Sequence, residues 1–147
     1  MTPRRIFVDS GAWFASQVVG DAHHKEAASA LRGLIALPVV LVTTNHVGGE
    51  TYTLLRLTRG HGACRKFLES LDRTRRLERI FVSQDLERRA LAILDRSRDR
   101  DFSLVDATSF AFMRAERIRH AFAFDSHFAA AGFVRVPADV GIERLGE

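Results

Sequence analysis

Two short apolar runs in this chain end on an aspartate, Ile6-Phe7-Val8-Asp9 and Ala121-Phe122-Ala123-Phe124-Asp125, and strand-like and helix-like segments alternate between them. Arg5–Val8 reads as a buried strand. His23 to Leu37 places Ala27, Ala30, Leu31, Leu34 and Ile35 on one helical stripe, and Pro38 ends it. Val39–Thr43 is a second β-branched run. Asn45 is expected to cap a helix reaching Arg59, stopped by Gly60 and Gly62, with a further helix from Ala63 to Leu71. Leu77–Val82 follows as a third strand, Leu86–Arg98 as a helix, and Ser103-x-x-Asp106 opens another helix through Arg117. Ala121–Phe124 and Phe133–Val136 complete the strands. This order predicts one α/β domain over residues 1–147, with a mostly parallel sheet and helices on both faces.

Composition removes several alternatives. The longest apolar run, Leu34 to Val42, has nine residues and contains Pro38, too short to span a bilayer. No signal-peptide core is legible near Ile6–Val8, so the expectation is a cytoplasmic protein without a membrane role. A single cysteine, Cys64, excludes an internal disulfide and a multi-cysteine zinc site. The 22 cations against 18 acids are nearly all arginine, whose planar fork suits phosphate oxygens. Arg56 to Arg79 is the densest stretch, with eight cations against three acids. It is either a solvated helix face or a surface that tracks a polyanion, and Arg73, Arg75 and Arg76 are the candidate contacts to such a polyanion.

Open parallel sheets bind ligands beyond the carboxyl ends of their strands, where Asp9 and Asp125 are expected. Either residue alone reads equally well as a helix cap. Glu50 is expected to share a helix face with Val47, Leu54 and Thr58, and a carboxylate there must be paired, metal-bound or protonated. Asp106 fits a capping box with Ser103 and is free to face a cation as well.

These residues, in the order Asp9, Glu50, Asp106, Asp125, resemble the PIN-domain ribonucleases, and in particular the VapC-type toxins of toxin–antitoxin pairs. The matching segments are Phe7–Trp13, Thr43–Leu55, Asp101–Met113 and Phe124–Gly132. The resemblance implies a three-layer α/β/α sandwich in which the four acids converge and hold one or two Mg2+ or Mn2+ ions. It implies a metal-dependent endoribonuclease cutting tRNA or rRNA, a homodimer, and a small antitoxin that silences it. Asp101 matches a less constant acid of the family. Ala123 stands where many relatives have a hydroxyl, which Ser10 or Ser126 is positioned to replace. Hard oxygen ligands suit such ions independently of the resemblance. The competing reading from another class is a non-catalytic RNA-binding or interaction module of the same fold. Dehalogenase-like phosphatases, receiver domains and P-loop proteins are disfavoured, because their second acids, late lysine or glycine-rich loop are missing.

Overall fold

The computed structural model describes residues 4–146. Its elements in chain order are β1 (Arg4–Val8), α1 (Ser10–Gln17), α2 (His24–Ala36), β2 (Val39–Thr44), α3 (Asn45–Arg73) and β3 (Leu77–Ile80). They continue with α4 (Gln84–Arg96), α5 (Leu104–Ala115), β4 (His120–Ala123), α6 (Ser126–Ala130) and β5 (Val134–Pro137), followed by a 3-10 turn at Ile142–Gly146. The strands form one sheet in the order β3-β2-β1-β4-β5, and every pairing among the described residues is parallel. Right-handed crossovers set α1, α2 and α3 on one face and α4, α5 and α6 on the other, which makes the expected α/β/α sandwich.

The order reverses between β1 and β4. Successive strands step outward through β2 and β3, then jump back to β4 on the other side of β1. Chains leaving β1 and β4 therefore turn to opposite faces, and a crevice opens between them at the carboxyl edge. Asp9 and Asp125 follow those two strands, and the Asp9 N–H donates to the Phe122 carbonyl at 3.1 Å.

The core is aromatic and closely interlocked. Phe7, Phe110, Phe122 and Phe128 are fully buried, with Phe110 edge-on to Phe128 at 5.0 Å between ring centroids. Trp13 and Phe112 are buried as well, while Phe124 lies half-exposed and stacks on His23 at 4.4 Å.

Several local expectations shift. Helix α1 is built from SGAWFASQ, whose small residues carry no strong stripe, and it was not foreseen. Thr44, not Asn45, caps α3, accepting the Val47 N–H at 3.1 Å. Asn45 instead accepts the Val82 N–H at 2.8 Å and ties α3 to the segment after β3. The two helices expected on either side of Gly60 are both present and run together as α3 across a break at Gly60, whose φ of 78° lies outside the helical range. The buried stripe of α3 runs Val47, Thr51, Leu55 at i, i+4, i+8, so Leu54 and Thr58 face solvent and Glu50 sits half-buried at the border of the stripe. No described helix is long and apolar enough to cross a membrane.

Candidate active site

Each acid of the quartet arrives from a different element. Asp9 ends β1 and stands at the N-cap of α1. Glu50 lies in the second turn of α3. Asp106 is the third residue of α5, and Asp125 caps α6. Three of the four thus sit at helix N-termini, where the helix dipole and free N–H groups favour negative charge.

The structure brings all four together. Asp9 is nearly fully buried, and its carboxyl is pushed up to about 7, first by loss of water and then by the charges of Asp106, Glu50 and Asp125. The Ser10 N–H opposes that shift. Asp101 is exposed in the loop before α5 and does not figure among the charges acting on Asp9.

Three acids use one oxygen to hold position and keep the other open. Glu50 Oε1 accepts a hydrogen bond from Ser10 Oγ. Asp106 Oδ2 accepts from the Ser103 N–H at 3.0 Å, while the Asp106 N–H donates to Ser103 Oγ at 3.0 Å, which closes the capping box read from the sequence. Asp125 Oδ1 accepts from the His127 N–H at 2.8 Å. Glu50 Oε2, Asp106 Oδ1 and Asp125 Oδ2 accept no hydrogen bond among the described residues. Ser10 is thereby an orienting hydroxyl for Glu50. Ser126 is exposed and makes no such contact among the described residues.

His127 was not foreseen. Its Nδ1 lies 3.0 Å from Asp106 Oδ2 and 3.5 Å from Asp125 Oδ1. Facing two carboxylates, that nitrogen is best placed as a donor, and the ring is steadied edge-on by Phe102 at 5.2 Å. The available signal was its place two residues after a strand-end aspartate, in the first turn of the helix which that aspartate caps. Asp106, Asp125 and His127 each offer a ligand atom, all within 4.8 Å of one another, a spacing compact enough for a metal ion.

A shallow groove of about 480 Å3 leads away from the acids, bordered by Asn45, His46, Glu50, Thr53, Leu54 and Val105. The basic stretch of α3 lies elsewhere in the fold and is not uniform. Arg73 is 80% exposed and reaches Glu69 only at 3.9 Å, and Arg75 is exposed. Arg76 has structural work, since Nη1 donates to the Leu37 carbonyl at 2.8 Å and Nη2 to that of Ile35 at 3.1 Å, closing the end of α2.

The PIN domain family model matches residues 6–134. The 23S rRNA-specific endonuclease VapC20 of Mycobacterium tuberculosis is 46% identical over 132 residues, covering 89% of this chain and 97% of the relative. The crystal structure of that protein, described as a Sarcin-Ricin loop cleaving toxin, superimposes with a TM-score of 0.79 over 88% of this chain and 96% of its own, at 43% identity. A toxin-antitoxin complex from Klebsiella pneumoniae shares the fold, with a TM-score of 0.61 at 18% identity over 92% of this chain and 96% of the other.

Proposed function

The chain belongs to the PIN-domain family, and on that premise we propose that it is a metal-dependent endoribonuclease acting as the toxin of a toxin–antitoxin pair. One observation carries this reading: four carboxylates from four elements meet at the crevice where the strand order reverses, close enough that three of them press on the titration of the fourth. A site that gathers more negative charge than it stabilises by itself fits a divalent cation.

Asp9, Asp106 and Asp125, with Glu50 alongside, would hold one or two Mg2+ or Mn2+ ions. Such an ion neutralises a phosphate and acidifies a bound water for attack on phosphorus. The protein's own contribution is orientation. Ser103 and His127 fix Asp106, the first turn of α6 fixes Asp125, and Ser10 fixes Glu50, so that the open oxygens need little rearrangement when the site is loaded. Asp101 and Ser126 stay at the margin as outer contacts. Arg73 and Arg75 remain candidate phosphate contacts, and Arg76 contributes through the end of α2.

The relative that acts on 23S rRNA makes ribosomal RNA the preferred substrate class over tRNA. We assign to the same reading a single domain, a homodimer, a cytoplasmic location and a small antitoxin seated at the acidic pocket, which is a natural receptor for guanidinium. Large apolar side chains exposed on the monomer, Val19, Leu57 and Phe81 among them, are compatible with a covered face. The test is incubation with ribosomal RNA in Mg2+, Mn2+ or EDTA. Discrete cuts with either metal and none in EDTA are expected, and undiminished cleavage in EDTA would remove the mechanism. Growth arrest on expression alone, relieved by the product of a neighbouring small reading frame, tests the toxin role.

A further inference from the structure

At the opposite edge of the sheet, the first residues of β1, β4 and β5 and the turn after α5 enclose a cleft of about 470 Å3. Its lining includes Arg4, Arg5, Glu116, Arg117, Arg119 and His120. Arg5 is committed within the protein: Nη1 donates to Glu116 at 3.0 Å, Nη2 to Glu78 at 2.9 Å, and the guanidinium lies 5.8 Å from the Phe112 ring centroid. Glu116 is the one acid lining the cleft, and it is used by that contact. Arg4, Arg117 and Arg119 pair with no carboxylate among the described residues.

Arg117 is placed there against local preference. It follows α5 at φ 56°, in the left-handed position where Ile118 N–H reaches back to the Met113 carbonyl at 2.8 Å and ends the helix. Glycine is favoured at such a position, and a residue with a Cβ is strained there. Arg76 adopts the same φ of 56° after α3, but its two bonds to the end of α2 offset the cost. The Arg117 guanidinium makes no hydrogen bond among the described residues. His120, half-buried beneath the arginines, is held toward its neutral form by burial and then by Arg4 and Arg119. Those two guanidinium groups are thus near enough to one imidazole to repel its proton.

Three unpaired like charges around one concavity repel each other, and an anion seated between them removes the repulsion. We propose that this cleft is a second phosphate-binding site that grips the RNA backbone away from the scissile bond. The proposal rests on the ribonuclease reading for the identity of the polyanion. Guanidinium forks match phosphate oxygens, and the cleft offers no aromatic slot for a base other than the His120 ring. From Arg4 to Asp9 the chain rises about 3.3 Å per residue, so the two sites lie roughly 17 Å apart. A folded RNA lying along the side of the sheet spans both sites.

The experiment is fluorescence anisotropy in EDTA with an RNA hairpin long enough to span the sheet. The Arg4→Gln/Arg119→Gln pair alters exposed side chains that make no internal bond among the described residues, so the fold should persist. It should weaken hairpin binding about ten-fold and shrink the slope of log K against log salt by roughly 1.4 to 1.8 for two lost contacts. The exposed pair Arg88→Gln/Arg98→Gln, away from the cleft, should leave hairpin binding unchanged. An equal effect from the exposed pair Arg88→Gln/Arg98→Gln would overturn the proposal, as would a change confined to the mass seen by light scattering. Wild-type cleavage with Mn2+ reads the catalytic claim separately. Hairpin binding that depends on Arg4 and Arg119 without cleavage would sink the nuclease and keep the cleft; cleavage with unaltered binding by the variant would do the reverse.

Discussion

The two edges of this sheet carry opposite charge, although the same strands make both. At the carboxyl edge Asp9, Glu50, Asp106 and Asp125 crowd one crevice. At the amino edge Arg4, Arg5, Arg117 and Arg119 surround a cleft with one acid, Glu116. An all-parallel sheet separates the two by construction, since every strand starts on one side and finishes on the other. Its crossover helices begin near the carboxyl edge and end near the amino edge, so their dipoles favour acids at the first and cations at the second. Arg117, just past the end of α5, and Asp125, at the start of α6, are each on the side their helix favours. Neighbouring sequence is thus sorted by direction: Arg5 and Asp9 are four residues apart and belong to different chemistry.

The largest expected effect breaks the acidic edge alone. Asp9→Asn and Asp106→Asn should each lower kcat/KM for RNA by about a thousand-fold or more, a loss of roughly 4 kcal/mol of transition-state stabilisation. Far-UV circular dichroism should be unchanged, because an amide fills the same space. Activity within ten-fold of wild type for either variant would mean that the carboxyl edge is not where the chemistry happens.

Much of that edge was legible in the sequence, and the physical reasons differ from residue to residue. Asp9 and Asp125 could be placed because each closes an apolar run, and a strand's last residue needs no tertiary information. Asp106 was legible through its capping box, a local signal. Glu50 was found, but on the wrong stripe: Gly48 and Gly49 blur the apolar period, and only packing revealed Val47, Thr51 and Leu55 as the buried line. Helices α1 and α6 escaped because they are short and rich in small residues, so their stability comes from the core rather than from a periodic pattern. His127 escaped with α6. The basic cleft was not legible at all. Its residues come from three separated segments that only the β1–β4 and β4–β5 pairings bring side by side.

A smaller effect is expected when the amino edge loses its internal brace. Arg5→Ala removes two ion pairs to half-exposed acids and the cover over Phe112, and should cost about 1 kcal/mol in urea titration. No loss of stability would mean that Arg5, like its neighbours, is held for a ligand instead.

The smallest effect separates the arginines after α3. Arg73→Ala and Arg75→Ala should each reduce the slope of log K against log salt by roughly 0.7 without altering stability. Arg76→Ala should lower the melting temperature, since it strips two bonds from the end of α2. An unchanged slope for the first two would return them to a solvated face.

The claim that four acids share one pocket built for a cation is tested most directly by melting curves. The Asp9 carboxyl titrates near 7 in the fold and near 3.8 when free, so the native state binds the extra proton between those values. Stability without metal is therefore present at low pH and falls as pH rises through that window, at up to about 1.4 kcal/mol per unit. Calorimetry of wild type and Asp9→Asn at pH 5 and pH 8, in EDTA and in Mn2+, reads every part of this. Wild type in EDTA should melt lower at pH 8 than at pH 5, Asp9→Asn should lose most of that difference, and Mn2+ should raise the wild-type melt more at pH 8. Parallel melts for the two proteins at both pH values, with no response to Mn2+, would contradict the account.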